Sequence, residues 1–205
     1  NNVVAFDGAG ARVGAPIEVG EGPTGIVLHG TRAYVLNKFD ASVSVVDLAA
    51  GQEIARHGFH DPSPEAIKVG RRHLYDTHAT SGLGHVACAS CHVDARMDRL
   101  AWDLGAPDGD MVSIPEQTCG LGGLLPCPDH HPQKGPMTTQ TLQDIIGKEP
   151  LHWRGDKDDL HGFSGAFVHL QGDDSEPTAS AIDEFAGFLS TIHFPPNPYR
   201  NLDNS

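Results

Sequence analysis

The chain has 205 residues, with 27 acidic against 14 basic side chains and a formal net charge of −13 with histidine neutral. At roughly 150 residues per domain, this length suggests one domain plus a piece, or two small ones. The acidity argues against nucleic acid, whose phosphates need clustered Lys and Arg, and no apolar run approaches the ~20 residues that span a bilayer. Partners of basic or neutral surface are expected, approached under electrostatic steering. Apolar residues make up 39% of the chain, enough for a core, while 24 Gly and 15 Pro imply loop-rich architecture. Protonating all 13 His would cancel the net charge, so solubility and association should change as pH falls through ~6.5.

Position 1 is Asn and no charged-then-apolar signal segment opens the sequence. Either a targeting peptide has been removed or the chain is a piece of something longer, and the first sixty residues favour the second reading. Val3-Val4-Ala5-Phe6-Asp7 and Val43-Ser44-Val45-Val46-Asp47 read as the same strand, forty residues apart. Between them Gly25–Leu28 and Arg32–Asn37 read as two strands around a turn at His29-Gly30-Thr31. A period near forty with short strands and Gly/Asp turns is the signature of a β-propeller blade. Gly22-Pro23-Thr24-Gly25-Ile26, Arg32–Asn37 and Ser42–Leu48 resemble the bacterial surface-layer type of seven-bladed propeller repeat. The match covers about one and a half blades, too few to close a ring, so these strands should pair with further propeller chain or another subunit. The alternative is a small antiparallel sheet packed on the next domain.

Ser63 to Asp76 reads as a helix, with Ser63 as N-cap, Pro64 in the first turn and Glu65 at the positive end of the dipole. Ile67, Leu74 and Tyr75 give it a partial inward stripe. A Gly-rich turn at Ser81–His85 leads to Cys88-Ala89-Ser90-Cys91-His92, the sharpest signal in the chain. C-x-x-C-H is the attachment pattern of c-type haem. Its two thiols can add to the vinyl groups of one porphyrin, and the adjacent His92 can reach the proximal face of the iron. Zinc is one alternative, but seven residues separate the other cysteines, Cys119 and Cys127, so no four-cysteine ribbon is completed. A thioredoxin-like redox pair is another, but no βαβ pattern surrounds it.

Val69–Thr77, Ser81-Gly82 and Val86–His92 together resemble the haem-domain entry of bacterial di-haem cytochrome c peroxidases. Met137-Thr138-Thr139-Gln140-Thr141-Leu142 and Glu149–Asp156 resemble the distal segment of that family, and the likeness spans about residues 63–200. Fusions of a propeller to such a haem domain are familiar relatives. The family often carries Pro-aromatic-aromatic-His-Asp-Gly, which laid on Pro150–Gly155 puts its His at Trp153, with His152 one position early. His152 is the only imidazole in that segment and so is the expected distal iron ligand, with Met137 as the alternative and an open or other site as a third possibility. Arg154 is expected at a haem propionate or paired with Asp156, and Lys134 is a further propionate candidate. Trp102 and Trp153 either wall the macrocycle or pack in the core. Calcium lies between haem domains in the family, but no motif locates a site here.

Covalent haem attachment takes place outside the cytoplasm in bacteria, which implies a periplasmic or extracellular protein. There a loop-closing disulfide between Cys119 and Cys127 is expected, with two buried free thiols as the alternative. His130, His131 and the pairs Asp158-Asp159 and Asp173-Asp174 read as solvated. Ser180 to Ile192 reads as an amphipathic helix whose Ile182, Phe185, Phe188, Leu189 and Ile192 close the haem domain.

The expected fold is α+β: propeller strands over 1–62, a mainly α-helical cytochrome c domain with long loops over 63–199, and a tail or linker at 200–205. The expected function is electron transfer by one covalent haem c, with another cytochrome as redox partner. One alternative is a peroxidase taking a second haem from a partner chain, since this chain has a single C-x-x-C-H. The other is an interaction protein whose haem is structural.

Overall fold

The computed structural model describes residues 1–106, 108–113, 118–120, 125–126, 128–129, 131–133, 135–201 and 203, and of 118–120 and 126 the backbone only. The chain is a mixed structure of sheets and helices with its long strands first. Strands β1 (Asn2–Phe6) and β2 (Arg12–Glu18) form an antiparallel hairpin. Then β3 (Pro23–His29), β4 (Arg32–Asn37), β5 (Ser42–Asp47) and β6 (Gln52–Gly58) form a four-stranded antiparallel meander in chain order. In its register Ala33 faces Val46 and Val35 faces Ser44. Ala33, Val35 and Val46 bury against Ile17 and Val19 from the hairpin side, with Val3 alongside. The alternation of buried and exposed residues along β4 is what a strand with one covered face requires.

Four strands stand where the sequence puts them; β2 and β6 were not expected. Gly14 and Pro16 interrupt β2, and Pro is tolerated there because that strand lies at the edge of its sheet. In β6 only Ile54 and Ala55 are apolar, so the period-two signal is lost. The forty-residue repeat has a structural counterpart. Asp7 directly follows β1 and its Oδ1 accepts from the N–H groups of Ala9 and Ala11, while Asp47 ends β5 and its Oδ1 accepts from those of Ala49 and Ala50. Each Asp thus closes the turn into the following strand, with Gly10 and Gly51 supplying the left-handed backbone. On the same covered face, one step along from Val35, buried Asn37 donates to Ser42 Oγ at 2.9 Å and Ser44 Oγ at 2.8 Å.

Helix α1 (Glu65–Tyr75) comes next. Pro64, not Ser63, holds its N-cap position and makes no side-chain cap bond; the Ser63 N–H instead donates to Asp61 Oδ1. Leu74 is fully buried, as expected, and Ile67 packs beside the core, but Tyr75 turns outward against Phe39. Asp76 leaves the helix in an extended conformation and caps α2 (Thr77–Thr80), accepting from the N–H groups of His78 and Ala79. The short strands β7 (Ala101–Trp102), β8 (Thr118–Gly120), β9 (Leu125–Pro126) and β10 (Met137–Thr138) pair as β7 with β10 and β8 with β9. Helices α3 (Ser164–His169) and α4 (Ala179–Leu189) close the chain.

Among the described residues this second part is therefore dominated by loops rather than helices, its two longest helices having 11 residues each. The Gly- and Pro-rich run between α2 and α3 has no helical apolar period to extend them. Helix α4 starts one residue earlier than the sequence suggests, where Thr178 Oγ1 accepts from the Ala181 N–H. It stops at Leu189, leaving Ile192 beyond the helix but still packed on the core.

That core joins Leu74, Leu160, Phe167, Ile182, Phe185, Phe188 and Leu189, and α1 crosses α4 at Gly70. A Cβ on Gly70 would lie 2.3 Å from the Glu184 carbonyl oxygen, so only glycine allows so close a crossing. Buried Arg71 ties α1 to the strands, donating to the carbonyls of Lys38 and Phe39 and pairing with Asp61 at 2.9 Å. No helix among the described residues is long and apolar enough to cross a membrane.

Candidate functional site

The C-x-x-C-H segment forms one tight turn, Cys88–Ser90, that packs beside α1. The carbonyl of Cys88 accepts from the N–H of Cys91 at 3.2 Å and of His92 at 2.8 Å. The Ala87 N–H donates to Ser90 Oγ, which fixes the entry to the turn. Both thiols are partly buried and neither is in a disulfide. Burial pushes the Cys88 thiol up to about 11, against a hydrogen bond from the Gln171 side chain, and raises Cys91 as well. Burial also lowers the pKa of His92, with its bonds to the backbone of Gln140 and Arg96 opposing, and so favours the neutral imidazole that binds metals.

His92 Nδ1 lies 2.8 Å from the Gln140 carbonyl oxygen. Since a carbonyl only accepts, Nδ1 carries the proton and Nε2 holds the lone pair. This is the arrangement by which a carbonyl fixes the tautomer of a metal-ligating histidine.

The Met137–Leu142 segment runs along the loop that follows His92. The Leu142 N–H donates to the Ala95 carbonyl at 2.8 Å and that of Thr139 to Leu100 at 3.4 Å, while Met137 pairs with Trp102 in the β7–β10 ladder. Trp153 Nε1 donates to the Thr138 carbonyl at 2.8 Å. One six-residue strap thus contacts His92, Trp102 and Trp153. Left-handed backbone at residues other than glycine gathers here too: of six such positions among the described residues, five are Asp94, Ala95, Arg99, Asp144 and His152. Strain of this kind collects at functional sites.

The other expected site residues have definite surroundings. His152 Nδ1 is 2.7 Å from Asp156 Oδ1, and its ring stands edge-on to Phe163, which packs on the same core as Cys88. Arg154 donates to the carbonyls of His131 and Gln133 at 2.8 and 3.0 Å. Trp102 and Trp153 are 41% and 55% exposed, which overturns core packing as the account of either ring. Asp159 is not merely solvated: it caps the turn Leu160–Phe163 by accepting from the His161 N–H. The Cys119 side chain, Cys127, His130 and Lys134 lie outside the described residues, so the expected disulfide does too.

Among the described residues no three His, Cys, Asp or Glu side chains form a metal-holding group. A haem needs none, because the porphyrin supplies the equatorial ligands and the protein only the axial ones. The residues present fit that group. Two thiols and a tautomer-fixed imidazole share one turn, and large apolar side chains at Val93, Met97, Leu100, Trp102, Leu104, Met111 and Val112 are exposed within the following twenty residues. Buried Gln171 reaches Cys88, a contact no sequence motif signalled. A separate cavity of about 560 Å³, lined by Lys38, Phe39, Arg71, Tyr75 and Asp76 among others, contains none of these residues.

No family model matches the chain, and no curated protein matches it. Among solved structures it is similar to a chain of hydrazine synthase from Kuenenia stuttgartiensis, in crystals pressurized with 20 bar xenon. Identity is 19% and the TM-score 0.43, over 70% of this chain and 42% of that one. The chain thus spans less than half the length of that neighbour, and a likeness this distant carries no argument about function.

Proposed function

We propose that this chain is a c-type cytochrome that carries one covalent haem through Cys88 and Cys91 and transfers electrons. The observation that carries the reading is His92: the Gln140 carbonyl holds its Nδ1–H at 2.8 Å, which orients Nε2 as a ligand one residue after the second thiol. The haem, when bound, supplies one-electron iron redox chemistry. Cys88 and Cys91 would anchor it, His92 would supply an iron ligand, and Trp102 and Trp153 would pack against it. His152 would supply the second protein ligand, since its Nδ1 is paired with a carboxylate that raises the basicity of the ring. Met137 is the alternative from the same strap.

The strand region, 1–62, is proposed as about one and a half blades of a propeller. The hairpin, the meander and the repeated Asp turns at Asp7 and Asp47 support this. The exposed apolar run Ile26-Val27-Leu28 on the edge strand β3 supports pairing with further propeller chain or another subunit. The reading places the protein outside the cytoplasm, with another cytochrome as redox partner.

The test is expression in a bacterial host that assembles c-type cytochromes, with visible spectra before and after dithionite. A haem that survives denaturing extraction and gives sharp low-spin bands on reduction is expected. No covalent haem on the wild-type chain would sink the reading. His152→Ala should turn the iron high-spin; an unchanged spectrum moves the ligand to Met137. A wild type that is already high-spin, with peroxide turnover, replaces the electron carrier by a peroxidase.

A further inference from the structure

The side chain of Gln171 is 7% exposed, and its Nε2 donates to Cys88 Sγ at 3.7 Å across 83 residues of sequence. Its Oε1 is shielded from solvent and, among the described residues, has no hydrogen-bond partner. A buried amide with one end unsatisfied is less favourable than an apolar residue of the same shape. Packing alone would therefore be served better by Leu or Met, and among the described residues the amide's side-chain hydrogen bond is to the thiol. The backbone leaves Gln171 little choice of position. Its N–H donates to the Ala166 carbonyl, Gly172 continues in left-handed backbone, and the N–H groups of Gly172 and Asp173 return to Val168 and Phe167. Gly82 closes over this turn, where a Cβ would lie 2.1 Å from the Gly172 carbonyl oxygen. Cys91, one turn further on, has no such partner: among the described residues no side-chain hydrogen bond to its sulfur is formed.

We propose that Gln171 is a positioning residue for covalent attachment at Cys88, holding that sulfur in the orientation from which it adds to a haem vinyl group. The inference rests on the haem reading above. In the step itself the Cys88 S–H adds across the vinyl C=C: a new S–C bond forms at one vinyl carbon and the hydrogen goes to the other. No oxidant or reductant is consumed. Among the described residues Gln171 hydrogen-bonds to Cys88 and not to Cys91, so its effect is confined to one of the two links.

The experiment is mass spectrometry of the haem peptide containing Cys88 and Cys91 from wild type, Gln171→Met and Gln171→Asn, matured in the same host. Gln171→Met keeps the volume and removes the donor, and Gln171→Asn withdraws the amide by one methylene with the least change in packing. Expected is a wild type linked at both cysteines, and variants in which chains linked through Cys91 alone rise at least tenfold. A second readout needs no haem: the alkylation rate of Cys88 relative to Cys91 in the apoprotein should change several-fold in both variants. Cys91 is the internal control, because general loosening of the fold moves both thiols together. Folded variants with wild-type linkage at Cys88 and an unchanged alkylation ratio would overturn the positioning role while leaving the haem reading intact. A wild type without thioether links overturns both.

Discussion

Gly70 offers the most exacting test of the helical core, because two opposed effects of one methyl group can be separated there. Gly70→Ala adds a Cβ that would meet the Glu184 carbonyl oxygen at 2.3 Å and the Phe188 Cβ at 2.4 Å. Ordinary contacts begin near 3.4 Å, so α1 and α4 must part by about 1 Å, and neither obstacle is the end of a flexible side chain. Overpacking of this kind costs about 1–3 kcal/mol, and the upper end applies because main chain must move. Alanine's better helix propensity returns about 1 kcal/mol. The net loss is about 2 kcal/mol, or a fall in Tm of roughly 4–8 °C for a chain of this size.

Gly187 is the control, since it lies in α4 with nothing within 4 Å of a Cβ. Gly187→Ala should stabilise by about 0.5–1 kcal/mol through propensity alone. Urea denaturation followed by far-UV circular dichroism gives both values on the same preparation. If Gly70→Ala is as stable as wild type or more so, the close crossing of α1 and α4 is wrong. The crossing also supports the Cys88–Ser90 turn, which packs beside α1.

Leu74→Ala, at a fully buried position in the same core, should cost about 2–5 kcal/mol in the same urea titration; less than 1 would deny Leu74 its place there. Ser44→Ala strands the Gly20 N–H and removes one of the two acceptors of Asn37 Nδ2, and should lower stability by about 1–3 kcal/mol; a neutral result would count against the polar cluster on the covered face of the sheet. Asp61 is held at a pKa of about 2 by hydrogen bonds from Ser63 and by Arg71. A depressed carboxylate contributes stability that is complete above its unfolded pKa near 3.9 and is lost as pH falls towards 2. Wild type should therefore lose more stability than Asp61→Asn between about pH 4 and pH 2; parallel acid curves would remove Asp61 from the account.

The legible part of the site was the part carried by residue type at short spacing. Cys88, Cys91 and His92 announce themselves within five residues, and the α4 stripe from Ile182 to Leu189 follows from its period. Gln140 and Gln171 do not, because they lie 48 and 83 residues from their partners. Gln140 acts through a carbonyl that every residue possesses, and Gln171 through an amide with no spacing rule. The strands divided in the same way. Short apolar and aromatic runs marked β1, β3, β4 and β5, whereas β2 and β6 are held by pairing to those strands rather than by their own composition. Ser63 does not cap α1 because its hydroxyl and its N–H both turn back to Asp61, leaving Pro64 at the cap position.

The two imidazoles proposed for the iron differ in what holds them, and that difference has a redox consequence. His92 donates to a neutral carbonyl, whereas His152 lies 2.7 Å from the carboxylate of Asp156. A carboxylate draws the proton more strongly and leaves the opposite ring nitrogen a stronger donor to iron. A stronger donor stabilises the ferric state over the ferrous one and lowers the reduction potential. Methionine ligation acts the other way and raises it. If the chain carries haem, the potential of the wild type would therefore report which residue is the second protein ligand. Asp156→Asn should raise that potential if His152 is bound, since the amide is a weaker acceptor, and should leave it unmoved if Met137 holds the iron.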